Sequence, residues 1–282
     1  MPTYQQALKI NEQYALDNEK EPSAIKILLL HYSKLSSAEL VQKLQEAMDE
    51  VTYKSFLKGV DQYIINDRPI QHITETEYFY GYRFCVNDKV LIPRFETEEL
   101  VGYTLDYKKE YFKETKISLI DIGTGSGCLA IALALEDSTI HAEATDISSE
   151  AIEVAKRNAK HLNANVTFYE GNLYEPLKSK KYDILVSNPP YIPNKEELEP
   201  IIKDYEPHIA LYGGEDGLDY YRAIIKNAEE HLNDRYMIAF EHAYDKAKEI
   251  KKLCKKYLKN VRIIQKKDMQ GKDRMTFVFK ND

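Results

Sequence analysis

The sequence predicts an α/β protein built on a doubly wound, largely parallel sheet and preceded by a small all-helical segment. Three observations predict it. From residue 116 onward short apolar strands alternate with helical stretches, and a glycine-rich turn, Gly123-Thr124-Gly125-Ser126-Gly127, follows the first of those strands. Residues 1 to about 70, by contrast, carry few turn signals and no strand-like alternation.

Within the helical segment, Ser36-Ser37-Ala38-Glu39 ahead of Leu40, Val41 and Leu44 is a capping-box pattern, and Phe56, Val60 and Tyr63/Ile64 recur at helical spacing. Arg68-Pro69 is expected to end it, because proline disfavours helix at the residue before it. Aromatic and β-branched residues from Tyr78 to Ile92, around Gly81 and Asn87-Asp88, predict a β-hairpin. Thr97 or Glu96 is then expected to cap a helix through Leu100, Val101 and Leu105, with Glu98 and Glu99 favouring its N-terminal dipole. These boundaries divide the chain into a helical segment at 1–70, a hairpin linker at 71–95 and an α/β domain at 96–282.

The α/β domain reads as strand 117–122, helix 129–135, strand 140–146, helix 149–161, strand 166–169 and strand 182–186. Tyr236 to Glu241, Val261 to Gln265 and Met275 to Phe279 add strands, the last two close enough to pair antiparallel.

Composition narrows the function. The 282 residues hold 39 Lys+Arg against 46 Asp+Glu, a net charge of −7, which argues against nucleic-acid binding through overall charge while leaving a local basic groove open. With 43% hydrophobic and 30% charged residues the chain is of globular type, and no apolar run approaches the ~18 residues of a membrane span. Met1 to Gln6 shows no basic stretch leading into an apolar one, so the expected location is the cytoplasm. Cys85, Cys128 and Cys254 fit neither a disulfide framework nor a CxxC site, and seven histidines form no HxxxH or HExxH pair, so no metal is expected.

Two motifs carry chemistry. The glycine loop turns a strand into a helix, where a ligand approaches bare backbone, and Asp146, nineteen residues past Gly127, closes the next strand with a carboxylate suited to ribose hydroxyls. Together they indicate an adenosine-containing cofactor. Gly125 to Ala130 also matches the relaxed G-x-G-x-x-A dinucleotide fingerprint, so spacing alone leaves the cofactor open. Ser187-Asn188-Pro189-Pro190-Tyr191 follows the fourth strand at the sheet end that bears the cofactor crevice; as a plain loop it would be an ordinary turn.

Asn188-Pro189-Pro190-Tyr191 with the Gly123–Gly127 loop resembles the S-adenosylmethionine-dependent methyltransferases of planar amino nitrogens. The resemblance extends over nearly the whole chain to the release factor glutamine methyltransferases, through Tyr80-Gly81-Tyr82-Arg83-Phe84, Pro93-Arg94-Phe95-Glu96-Thr97-Glu98, Gly213-Gly214-Glu215-Asp216-Gly217-Leu218 and Asp268-Met269-Gln270-Gly271-Lys272-Asp273-Arg274. It implies a Rossmann-like catalytic domain with a seven-stranded, mostly parallel sheet, S-adenosyl-L-methionine as cofactor, and N5-methylation of the glutamine in the Gly-Gly-Gln loop of class I release factors. It further implies that Gly123, Thr124, Gly125, Ser126 and Gly127 wrap the cofactor, Asp146 holds its ribose, and Asn172 and Leu173 lie near its adenine. The Asn188 side-chain oxygen and the Pro189 carbonyl would accept the two amide N–H bonds, with Asn188 also bordering the cofactor, Pro190 in the substrate site and the Tyr191 ring against the planar group. The helical segment would grip the release factor away from the glutamine. Glu241-His242-Ala243 departs from the Glu-Ile-Gly common in that family, which puts the tight turn there in question.

Other readings compete. A DNA or RNA amino-methyltransferase acting on adenine N6 or cytosine N4 would use the same motif but needs a surface for phosphates, which the net charge disfavours. An NAD-dependent oxidoreductase would need a substrate-domain acid/base pair, which is not evident, and an inert binding protein would have no use for an intact Asn188 site.

Overall fold

The computed structural model describes residues 1–280, so the last two residues of the 96–282 segment lie outside it. The chain forms two compact units, Met1–Thr76 with Pro200–Tyr205, and Glu77–Glu199 with Glu206–Asp282.

The first unit contains α1 (Tyr4–Asp17), α2 (Ser23–Ser33), α3 (Ser37–Lys43), α4 (Glu50–Ile64) and α5 (Ile70–Thr74). The capping box is as expected: the Ser36 hydroxyl accepts from Glu39 N–H and the Glu39 carboxylate accepts from Ser36 N–H. Thr3 and Gln6 form a second one at α1. Phe56 and Val60 of α4 are buried with Ile25, Leu28 and Leu29 of α2, the burial that holds these helices together. Pro69 does not end the helical segment. The α4 helix stops at Ile64, and Pro69, free of any need for an N–H, leads into α5.

The second unit starts with a two-stranded hairpin, β1 (Thr76–Phe79) and β2 (Tyr82–Cys85), turned at Tyr80-Gly81, where both residues have positive φ. Asn87 lies beyond this hairpin, its side chain accepting from Lys89 N–H in a separate turn. Then follow α6 (Phe95–Phe112), β3 (Ile117–Ile122), α7 (Cys128–Glu136), β4 (Ile140–Asp146), α8 (Ser149–Leu162), β5 (Val166–Glu170) and β6 (Tyr182–Ser187). After α9 (Pro200–Tyr205), counted with the first unit, come α10 (Asp219–Asn227), β7 (Leu232–Glu241), α11 (Ala247–Tyr257), β8 (Val261–Lys267) and β9 (Asp273–Lys280).

The seven strands run in the order β5-β4-β3-β6-β7-β9-β8, parallel except for β9, which pairs antiparallel with both neighbours. Central strands read as nearly unbroken apolar runs because both faces are covered. In β3, Leu119 joins the core under α6, α7 and α8, while its neighbour Ile120 joins the core under α10 and α11; Ile184 and Leu185 of β6 divide the same way. At the sheet edge, β8 carries Arg262, Lys266 and Lys267, charges that deter pairing with another chain. Chain order reverses between β3 and β6, so a crevice opens at their carboxyl ends, where ligands of such sheets bind.

Candidate active site

The loops at that switch point wall a single pocket. Gly123, Thr124, Gly125 and Ser126 enter it after β3, Asp146 and Ile147 after β4, Asn172 and Leu173 after β5, and Asn188, Pro189 and Pro190 after β6. Pro93, Arg94 and Thr97 close it from the start of α6, and Pro207, Ile209, Ala210 and Tyr220 from the chain beyond.

Asp146 organises the end of the pocket beside the glycine loop. Its Oδ2 accepts from Gly125 N–H at 2.8 Å and its Oδ1 from Ser148 N–H at 2.9 Å, while burial raises its pKa. Behind the loop, Thr124 Oγ1 donates to Asp121 Oδ2 at 2.6 Å, and burial pushes the Asp121 carboxyl up to about 7. Among the described residues neither carboxylate has an ion-pair partner. The backbone of Gly123 (φ +74) and Gly125 (φ +55) faces open space where a Cβ would project. A cradle of bare backbone beside the Asp146 carboxylate suits a ligand bringing hydroxyls, as S-adenosylmethionine does.

Gly127 does not line the pocket. It sits at φ +82 as the N-cap of α7, and a Cβ there would fall 2.9 Å from Ile131 Cδ1 and 3.1 Å from Ala155 Cβ. Cys128 does line it, but burial pushes its thiol up to about 12, so it remains protonated.

At the other end, Asn188 Nδ2 donates to Thr97 Oγ1 at 3.2 Å, and Thr97 Oγ1 donates to Glu241 Oε2 at 2.7 Å. Thr97 and Glu241 are 3% and 1% exposed. The α6 helix has Arg94 as its N-cap with no side-chain cap, so Thr97 is not the expected cap; its hydroxyl is committed to Glu241 instead. Arg94 in turn hydrogen-bonds the buried carboxylate of Glu206, which also accepts from Ile92 N–H at 3.1 Å. That clasp holds Pro93-Arg94 at the rim.

Tyr191 is not part of the pocket wall. It packs on the core under α10 and α11, and burial, helped by the Glu241 charge, pushes its hydroxyl up to about 12. The segment is buttressed by the Gly213–Gly217 loop: Gly213 N–H donates to Ile192 O at 2.8 Å, and a Cβ on Gly217 would lie 2.2 Å from Tyr191 O.

The methyltransferase small domain family model matches residues 108–205. A release factor glutamine methyltransferase of Bacillus cereus is 40% identical over 276 residues, covering 96% of this chain and 97% of the relative. The chain belongs to the release factor glutamine methyltransferase family. The family's Bacillus subtilis member is 39% identical over 279 residues, covering 97% of this chain and 96% of its own. A methyltransferase structure from Pyrococcus furiosus, 20% identical, covers 70% of this chain and 87% of its own with a TM-score of 0.51, and shares the fold. The fold is thus one shared with solved methyltransferases.

At Glu241-His242-Ala243, where the resemblance put a tight turn in question, His242 is buried, with Nε2 2.9 Å from Thr276 Oγ1 and Nδ1 2.9 Å from Ala243 O. The turn forms further on, closed by Lys246 N–H to Ala243 O, so it needs no glycine at 243.

Sequence reasoning missed Thr97, Glu241 and Glu206 as site residues. A signal existed for Glu241, at the carboxyl end of a strand beside β6, where function concentrates. Thr97 lies in the Pro93–Glu98 segment but reads as a helix cap, and nothing local marks Glu206; their partners lie 144 and 112 residues away.

Proposed function

We propose that this protein transfers the methyl group of S-adenosyl-L-methionine to the side-chain nitrogen of the glutamine in the Gly-Gly-Gln loop of class I peptide chain release factors. The observation that carries it is the convergence of Asn188-Pro189-Pro190 and the Gly123–Ser126 loop on one pocket. The end-to-end likeness to relatives named for glutamine methylation supports the choice of substrate.

S-adenosylmethionine supplies an electrophilic methyl group on a sulfonium. The Gly123–Ser126 backbone would cradle it, Asp146 would accept from its ribose hydroxyls, and Asn172 and Leu173 would border its adenine. An amide nitrogen is a weak nucleophile because its lone pair is delocalised. Asn188 Oδ1 and the Pro189 carbonyl accept its two N–H bonds, aim it at the methyl and favour the positive charge that develops as the N–C bond forms and the C–S bond breaks. The alkylated nitrogen is acidic and releases a proton to water, so no strong base is needed. Tyr191 supports this segment from behind. The helical residues 1–70 hold the factor at a distance from the glutamine, since a short flexible loop yields little binding energy alone.

Mass spectrometry of a bacterial release factor incubated with the protein and S-adenosylmethionine tests the proposal. One added methyl on the Gly-Gly-Gln glutamine, absent with Asn188→Ala, supports it. An unmodified, folded factor with cofactor binding intact overturns it and redirects the search to nucleic acid.

A further inference from the structure

We propose that Thr97 and Glu241 act as positioning residues that lock the Asn188 carboxamide with its oxygen toward the reacting nitrogen. The proposal rests on the function above for the identity of that nitrogen, but the lock is a property of this chain.

A carboxamide is nearly symmetric in shape, and its two orientations differ only in which end donates. An Asn188 flipped by 180° would offer NH2 to the substrate amide, repelling the N–H bonds it must accept. Something has to choose. Glu241 is buried at the end of β7, and in its charged form the carboxylate only accepts. The Thr97 hydroxyl, 2.7 Å away, spends its single proton on that carboxylate. What remains on Thr97 Oγ1 is lone pairs, so the group 3.2 Å away on Asn188 must be the NH2. Among the described residues no donor engages Asn188 Oδ1, and Asn188 lines the pocket, so the oxygen is left for substrate.

The relay is assembled from three elements. Asn188 follows β6, Glu241 ends the neighbouring β7, and Thr97 lies in the first turn of α6, where its short hydroxyl spans the gap. Glu241 also draws a hydrogen bond from the Asn188 side chain itself, which again sets the NH2 end toward the carboxylate; the charges of Arg274 and Glu96 lie nearby, and the Tyr221 hydroxyl donates to the Glu241 backbone carbonyl at 2.7 Å. Arg274 itself pairs with Asp268, so Glu241 remains available to Thr97. A threonine hydroxyl and a carboxylate are costly to bury in a core, and the orientation of Asn188 accounts for keeping this pair.

Two measurements test the lock together. In protein labelled with 15N-asparagine, the Asn188 side-chain NH2 signals, identified by their loss in Asn188→Asp, are expected to be protected from solvent exchange and to lose protection in Thr97→Val. In release-factor methylation, Thr97→Val and Glu241→Gln are expected to lower kcat by about 10- to 100-fold with KM and cofactor affinity within about threefold, while Thr97→Ser restores the rate. Unprotected Asn188 NH2 signals in wild type overturn the lock whatever the substrate. Near-wild-type kcat in both Thr97→Val and Glu241→Gln, where Asn188→Ala is inactive, also overturns it. An inactive wild type with protected NH2 signals instead rejects the methylation reading and leaves the lock standing.

Discussion

Asp146 Oδ2 accepts the backbone N–H of Gly125 at 2.8 Å, so the carboxylate closing β4 holds the glycine loop that follows β3. One side chain thereby shapes the loop and presents its remaining acceptor capacity to a ligand. Asp146→Asn, which exchanges one acceptor for a donor, is expected to weaken S-adenosylmethionine binding by about 1.5–3 kcal/mol, tenfold or more in Kd. Isothermal titration calorimetry reads this directly, and an unchanged Kd would remove Asp146 from the cofactor site.

Asn188→Ala separates binding from chemistry. The substitution removes an acceptor directed at the reacting nitrogen but leaves the glycine loop and Asp146 untouched, so kcat is expected to fall by about 100-fold or more with cofactor Kd unchanged. Single-turnover kinetics at saturating cofactor distinguish this from a loss of affinity.

Gly127 is expected to matter for folding rather than ligand contact. Alanine there meets both an unfavourable φ of +82 and Ile131 Cδ1 at 2.9 Å. A loss of about 1–3 kcal/mol follows, seen as a fall of several degrees in Tm. Substituting Ile131→Val alongside should recover part of it, because the clash is with the end of a flexible side chain.

Burial pushes the Glu241 carboxyl up to about 7, with Arg274 and the Thr97 hydrogen bond opposing and Glu96 reinforcing the rise. The charged form is the one that fixes Thr97 as donor, so kcat should climb as pH rises through about 7 and flatten above it. Asp121, also pushed up to about 7, lies behind the cofactor loop and should appear in cofactor affinity instead. A Glu241→Gln kcat profile as steep as wild type would disprove the assignment to Glu241.

The same shift has a stability consequence of opposite sign. The folded-state pKa of Glu241 lies above its ordinary value of 4.5, so its favourable contribution is complete below about 4.5 and is lost as pH rises through about 7. The Tm difference between Glu241→Gln and wild type is therefore expected to move in favour of the variant as pH is raised from 5 to 8. A difference independent of pH would show that Glu241 titrates normally.

The sequence by itself determined the seven strands, the helices as far as 149–161, the glycine loop, Asp146 and the Asn-Pro-Pro segment, because each is specified by neighbours a few residues away: apolar period, turn chemistry and motif spacing; the helices at Asp219–Asn227 and Ala247–Tyr257 are not among them. Strand 117–122, a helix at 149–161 that the structure extends by one residue, and the antiparallel final pair are all written locally. Tertiary structure decided the rest. Which way Asn188 faces depends on Thr97, 91 residues distant, and on Glu241, which Thr97 reaches across 144 residues. Whether Gly127 and Tyr191 touch the pocket depends on how Ile131, Ala155 and the α10 and α11 core pack around them. A hydroxyl's choice between capping its own helix and serving a buried carboxylate on another strand is an energetic competition between near and far partners. Only the folded chain brings the far partner within 2.7 Å.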